Sequence, residues 1–165
     1  MTITITESGM DFGPYPKNDV FHIEQSQTFK KLKGVQIGEF VLLRGGKLLF
    51  IEAKSSSPRP ETHPDFQTFI AEIHEKLANS LTLSVAALLK RHGAANSELP
   101  PPIRGVSLSQ VEFLLILVLP DHPDKALAPI RDALGSSLRA FCNIWSPAEI
   151  VVLNRQSAQN RNLII

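Results

Sequence analysis

The sequence predicts an α/β protein with a mixed β-sheet, a β-hairpin and helices packed against the sheet. Residues 35–44 and 47–54 are β-rich and are joined by Gly45-Gly46, which indicates a two-residue hairpin because both central positions of the favoured turn need a positive φ. Residues 111–119 form a nearly unbroken apolar run, typical of a central strand covered on both faces. Helical patterns before and after this run predict a crossover and at least one parallel strand pair.

The segments before the hairpin are less regular. Within residues 1–18, isoleucine and threonine alternate at the start, which fits either an edge strand or a flexible arm. Phe21 and Ile23 then alternate as in a strand, while Phe29 and Leu32 have the spacing of a helical turn. We therefore expect a short strand followed by a helical turn.

Two longer helices and a last strand follow the hairpin. Pro64-Asp65 is typical of a helix start, and we expect the helical region to reach Arg91, with Gly93 as its stop. The apolar spacing within residues 124–142 predicts the second helix, and residues 149–153 are predicted to form a strand. The apolar stripes of the two helices consist of Phe66, Phe69, Ile70, Ile73 and Leu77 in the first and Leu127, Ile130, Leu134, Leu138 and Phe141 in the second.

Length, composition and charge limit the kind of protein. The 165 residues fit a single domain spanning 1–165, and 43% hydrophobic with 20% charged residues is an ordinary globular composition. The net charge of +1 gives no overall field that would attract nucleic acid or a membrane surface. With Cys142 as the one cysteine, no intrachain disulfide is possible, and the chain starts without a basic segment followed by an apolar one. Because residues 111–119 are too short to span a bilayer, we expect a cytoplasmic protein with no membrane partner.

The hairpin concentrates the charged residues that suggest chemistry. If Gly45-Gly46 forms the turn, Glu39 lies directly opposite Glu52, with Cα atoms about 4.5–5.5 Å apart, and Lys54 shares the face of Glu52. At an effective dielectric near 20, two carboxylates at that separation repel by about 3 kcal/mol. A divalent cation such as Mg²⁺ or Mn²⁺ would relieve this repulsion, and with a lysine it would suit phosphodiester hydrolysis.

These residues resemble the PD-(D/E)XK nuclease superfamily, in which an acid on one hairpin strand and a (D/E)-x-K tripeptide on the next build a magnesium site. Glu52-Ala53-Lys54 matches the tripeptide and Glu39 occupies the place of the first acid, although no Pro-Asp precedes the hairpin and the first acid is Glu instead of Asp. The resemblance implies a restriction-endonuclease-like core, Glu39 and Glu52 as ligands of Mg²⁺ or Mn²⁺, and Lys54 as a catalytic residue. By analogy, Glu24 corresponds to an acid upstream of the hairpin, and Gln67 to a polar group over the site.

The resemblance also implies DNA or RNA as the substrate, with a homodimer or a partner protein supplying selectivity. One alternative is a binding or scaffold protein that keeps the nuclease-like core without catalysis. Another is a regulatory or interaction protein with no nucleic-acid role, which scattered basic residues or an apolar pocket without converging carboxylates would favour. Glu-x-Lys by itself is common on solvated strands, where it is only a local charge pair. Apolar residues share the face of Glu52, so we expect its charge to be buried, and a buried charge usually has a partner or a function. These apolar residues are Val41, Leu43, Leu48 and Phe50.

Basic residues cluster in sequence around the hairpin, and they fit either phosphate contacts or a solvated rim. They are Lys30, Lys31, Lys33, Arg44, Lys47, Lys54 and Arg59. The histidines lack zinc-site spacing, and no glycine-rich loop opens a helix to bind a nucleotide cofactor.

Overall fold

A five-stranded mixed sheet forms the centre of the computed structural model, which describes residues 1–165. Its strands are β3 (Val20–Phe21), β4 (Phe40–Arg44), β5 (Lys47–Ala53), β6 (Glu112–Val118) and β7 (Ala148–Leu153). They lie side by side in chain order. The strands β3, β4 and β5 pair antiparallel, whereas β5, β6 and β7 pair parallel. The predicted α/β class and mixed sheet are confirmed.

The hairpin has the predicted turn and register. Arg44 pairs with Lys47, and both glycines of the turn have positive φ, +58° at Gly45 and +75° at Gly46. The first strand is shorter than expected, because it begins at Phe40 instead of residue 35. The ladder ends at the pair of Phe40 with Ile51. Glu39 lies just before β4, and its backbone N–H donates to the carbonyl of Ile51 at 3.0 Å, so the predicted pair of directly opposed acids, Glu39 and Glu52, is not part of the ladder.

Two long helices, α1 (Asp65–Leu88) and α4 (Asp124–Ile144), cover one face of the sheet. Their apolar stripes meet the side chains that β5 and β6 direct to this face, with Phe50, Ile73 and Leu115 fully buried. Gly93 does not stop the first helix as predicted, since α1 already ends at Leu88. A short helix, α2 (Gly93–Glu98), begins at this glycine and is followed by α3 (Pro101–Arg104).

The opposite face of the sheet is covered by the start and the end of the chain. Of the two alternatives for residues 1–18, the structure has a strand: β1 (Thr2–Glu7) pairs antiparallel with β2 (Met10–Pro16) in a separate two-stranded sheet. Phe12 forms a bridge to Ile164, which follows the last helix, α5 (Arg155–Asn160). This face thus has its own apolar core, distinct from the one beneath α1 and α4.

None of the helices combines the length and the apolar character needed to cross a membrane.

Candidate functional site

Several separate segments meet at the carboxyl end of β5, on the side of the main sheet where the parallel strands end. The turn between β1 and β2 is anchored there because the Ser8 hydroxyl donates a hydrogen bond of 3.1 Å to the backbone carbonyl of Ala53. The 3₁₀ turn Ile23–Gln25 reaches the start of β4, where the backbone N–H of Glu24 donates to the carbonyl of Glu39 at 3.4 Å. The helix α1 closes the site from the opposite face of the sheet. Charged side chains from distant parts of the sequence are thereby brought together.

Glu52 is the most buried charged residue of the site, with none of its surface exposed. Its Oε1 accepts a hydrogen bond of 2.8 Å from Lys76 Nζ and lies 3.5 Å from Lys54 Nζ. Its Oε2 is buried and has no hydrogen-bond partner. Burial raises the pKa of Glu52 while the two lysines lower it, and burial prevails. A buried carboxylate oxygen without a partner is costly and therefore marks a position where a ligand would be stabilising.

The lysines are held in a chain of ion pairs across the hairpin and α1. Lys54, with 29% of its side chain exposed, bonds to Glu72 at 2.7 Å, which is shorter than its contact with Glu52. Lys76, with 17% exposed, is the less accessible of the two, and it lies 3.9 Å from Glu72. Lys76 therefore compensates the charge of Glu52, whereas Lys54 faces solvent and is shared between two carboxylates.

A second group of carboxylates lies beside this chain of ion pairs. Glu7, Glu24 and Glu39 each place one oxygen so that the three oxygens lie within 4.8 Å of one another. Burial, the adjoining carboxyl of Glu24 and the charges of Glu52, Glu24 and Glu7 raise the pKa of Glu39 to about 8. Burial and the charge of Glu24 also raise the pKa of Glu7. Of the residues in the chain of ion pairs, Glu52 is the one whose charge contributes to the raised pKa of Glu39.

Gly38, which precedes Glu39, packs closely against both α1 and β5. Its N–H donates to Ser80 Oγ at 2.8 Å, and Ser80 donates in turn to the carbonyl of Lys76 at 2.7 Å. A Cβ at Gly38 would lie 3.1 Å from the carbonyl oxygen of Ile51, 3.3 Å from Ser80 Oγ and 3.5 Å from Glu52 Oε2. Only a residue without a side chain fits here without displacing its neighbours.

The structure brings four of the five sequence-predicted residues together, namely Glu24, Glu39, Glu52 and Lys54. Gln67 is not among them. It is exposed, its amide contacts His63, and it lines a surface groove between α1 and α4 together with Ser137. It lies on a different face of α1 from Glu72 and Lys76, because its position is not three or four residues from either.

The basic residues around the hairpin do not form one surface over the site. Arg44 and Lys47 flank the turn at the opposite end of the hairpin from Glu52. Arg44 donates to the backbone carbonyls of Arg161 and Asn162, and Lys47 is paired with an acid of β6. For these two residues the solvated rim is the better interpretation.

Three site residues were missed in the sequence: Glu7, Glu72 and Lys76. Glu72 and Lys76 are four residues apart on α1, beside the apolar stripe at Ile73 and Leu77. A signal in the sequence could have found them, because both are charged residues that border the buried stripe of the helix following the Glu-x-Lys strand. Glu7 carried no such signal, because its position depends on how the β1–β2 hairpin docks.

The chain matches no protein-family model, no curated protein and no solved structure.

Proposed function

We propose that this protein is a metal-dependent nuclease of the PD-(D/E)XK type, which hydrolyses phosphodiester bonds in DNA or RNA. One observation carries the proposal: the fully buried Glu52 of a Glu-x-Lys strand end has a carboxylate oxygen without a partner, beside a cluster of further carboxylates. Such an arrangement is unfavourable for folding alone and fits a site that is completed by a cation.

The residues present fit a hard divalent cation. Mg²⁺ and Mn²⁺ prefer oxygen ligands, and Mg²⁺ is commonly held by one or two protein carboxylates together with water and substrate phosphate. Glu39 and Glu52 are the ligands we propose, with Glu24 and Glu7 as the additional carboxylates around the ion. Ionisation of Glu39, whose pKa is raised to about 8, would be favoured by a cation.

The chain's own groups have separate tasks in hydrolysis. Bound Mg²⁺ or Mn²⁺ supplies Lewis acidity toward a phosphoryl oxygen and acidifies water. Lys54 is the more exposed lysine and can leave Glu72 for the substrate, where its ammonium group would orient the attacking water or neutralise the negative charge that develops on the phosphoryl oxygens. Lys76 is a positioning residue, because its bond to Oε1 of Glu52 leaves Oε2 as the oxygen without a partner.

The arrangement of the sheet supports a restriction-endonuclease-like core. The order hairpin, helix, strand, helix, strand agrees with the order expected from the resemblance. Glu39 and Glu52 lie at the same end of the hairpin, and the carboxyl end of a parallel strand is the edge where open α/β sheets bind ligands.

A second candidate is a non-catalytic protein with a nuclease-like fold that binds a protein or nucleic-acid partner. The observation that favours it is the chain of ion pairs, since Lys76 and Lys54 already compensate the charge of Glu52 without a metal. In that case the carboxylates would be a remnant of a catalytic site.

Cleavage assays on plasmid, single-stranded DNA and RNA with Mg²⁺ or Mn²⁺ distinguish the two candidates. We expect cleavage by the wild type that chelation abolishes, and a loss of roughly 100-fold or more in Glu52→Gln and Lys54→Ala. Lys17→Ala is the matched control, because Lys17 is exposed at the end of the β1–β2 hairpin away from the site.

The binding of Mn²⁺ alone, measured by calorimetry, complements the cleavage assay. Absence of both cleavage and Mn²⁺ binding in the wild type would refute the nuclease proposal and favour the non-catalytic alternative. Cleavage that Glu52→Gln leaves intact would place the active site elsewhere.

A further inference from the structure

A cavity of about 580 Å³, larger than any other in the protein, opens at the same edge of the sheet as Glu52 and Lys54. Its walls come from the loop that follows β5 and from the loop that leads from β6 into α4. Much of the wall is apolar and consists of Pro58, Pro60, Pro123 and the side chain of Ala126. The volume lies in the range of pockets that hold small organic ligands, about 300–1,000 Å³.

The cavity adjoins the proposed active site. Ser57, at its rim, follows Lys54 by three residues, a separation of at most about 11 Å along an extended chain. The backbone N–H of Lys54 donates to the carbonyl of Val118 at 3.0 Å, so the two loops leave the sheet side by side. A substrate strand lying over Lys54 would therefore pass the mouth of the cavity.

The hydrogen bond between Ser57 and His122 leaves a donor available. Ser57 Oγ and His122 Nε2 are 2.8 Å apart, while Nδ1 of the same imidazole is buried without a partner. A buried N–H without an acceptor is rare in proteins, so the imidazole proton belongs on Nε2 and is donated to Ser57. The hydroxyl hydrogen of Ser57 is then available to a ligand. In this tautomer His122 cannot accept the serine proton, which argues against a Ser-His nucleophile.

The cavity also presents one cation that is not paired within the protein. Arg59 is exposed and takes part in no ion pair. Of the nearby acids, Asp121 has 78% of its side chain exposed and faces Arg155 at 3.9 Å, and Asp124 accepts a hydrogen bond of 3.0 Å from Asn154. Arg59 therefore remains available for an anionic group, and its planar guanidinium suits a phosphate.

We propose that this cavity binds one nucleotide of the substrate strand, next to the phosphodiester that is cleaved. The base enters between the proline rings and Ala126, while Arg59 and the Ser57 hydroxyl bind its phosphate. The inference rests on the proposed nuclease function, which it extends to a substrate class: a base can enter the cavity only when it is unpaired, so the substrate is single-stranded or carries an unpaired nucleotide.

Binding of small ligands tests the cavity without requiring cleavage. The probes are a 5′-mononucleotide, ribose 5-phosphate and inorganic phosphate, titrated in the absence of divalent metal while the amide NMR signals of His122 and Ala126 are followed. We expect the mononucleotide to bind at least about tenfold more tightly than ribose 5-phosphate, because only the nucleotide fills the apolar part.

Two variants separate the phosphate contact from the base contact. Arg59→Ala should weaken both sugar phosphates about tenfold, whereas Ala126→Leu should weaken only the mononucleotide by filling the cavity. Arg139→Ala removes the same charge from an exposed position on α4 and should change neither affinity.

Equal affinity for all three probes, or binding that Arg59→Ala and Ala126→Leu leave unchanged, would overturn the inference even if the protein cleaves nucleic acid with metal. Nucleotide binding with the expected variant pattern but without metal-dependent cleavage would support the pocket and refute the nuclease function.

Discussion

The crowded carboxylates lead to the expectation that Glu39→Gln stabilises the metal-free protein at alkaline pH. Burial, the carboxyl of Glu24 and the charges of Glu52 and Glu7 raise the pKa of Glu39 to about 8 in the folded protein, from an ordinary value of 4.5. Between these pH values the folded state binds a proton that the unfolded chain has released. The free energy of unfolding therefore falls as the pH rises through this range, and the loss is complete above about pH 8.

The size of the effect follows from the pKa and from the exposure of the side chain. For a fully shielded carboxyl, the rise from 4.5 to about 8 would correspond to about 5 kcal/mol. Glu39 is only partly buried, and solvent screening reduces this value. We therefore expect Glu39→Gln to raise the free energy of unfolding by on the order of 1–2 kcal/mol at a pH above the raised pKa of Glu39. Below the ordinary pKa the gain should vanish, because the carboxyl is then protonated in both states.

Urea unfolding at about pH 4, pH 6 and pH 9 measures this difference. The matched control is Glu75→Gln, which neutralises an exposed acid of α1 and should show no such pH dependence. Added Mg²⁺ should stabilise the wild type at alkaline pH and leave Glu39→Gln nearly unchanged. Glu39→Gln with a stability equal to or below that of the wild type at about pH 9 would refute the reasoning.

Two further substitutions test the support around the carboxylates, each against a control of the same chemistry, by urea unfolding. Lys76→Met leaves the buried Glu52 with Lys54 alone, at 3.5 Å and shared with Glu72, and should lower the free energy of unfolding by about 3 kcal/mol. The exposed Lys17→Met should be neutral, and equal effects of the two substitutions would contradict the assigned ion pair. Gly38→Ala places a Cβ 3.1 Å from a backbone oxygen of β5 and should cost about 1 kcal/mol or more. Gly135→Ala, in open space within a helix, should gain up to about 1 kcal/mol, and a gain of the same size at Gly38 would disprove the close packing.

The hairpin and the parallel strands were predictable because their signals are local. Gly45-Gly46 determines the turn, the turn determines the register from Arg44–Lys47 to Phe40–Ile51, and the register brings Glu39 and Glu52 to the same end of the hairpin. The unbroken apolar run of β6 likewise indicated a strand covered on both faces. In these segments a few neighbouring residues specify the structure.

The remainder of the candidate site depends on contacts between segments far apart in sequence. The β1–β2 hairpin reads as an ambiguous alternation of isoleucine and threonine until its apolar face packs on the sheet, and only then does Glu7 approach Glu39. The rotation of α1 about its axis decides that Lys76 meets Glu52 while Gln67 faces elsewhere. No periodicity in the sequence specifies such a rotation to the accuracy of a hydrogen bond.

The docking of the β1–β2 hairpin has a consequence for the order of folding. The hairpin is attached by Phe12 to Ile164 and by the hydroxyl of Tyr15 to the carbonyl of Leu163, a contact between residues 148 positions apart. Contacts that close so large a loop tend to form late, after local elements have already reduced the chain entropy. Glu7 should therefore join the carboxylate group last during folding and leave it first during unfolding. Backbone hydrogen exchange should then be faster across the β1–β2 hairpin, which carries Glu7, than at Glu39.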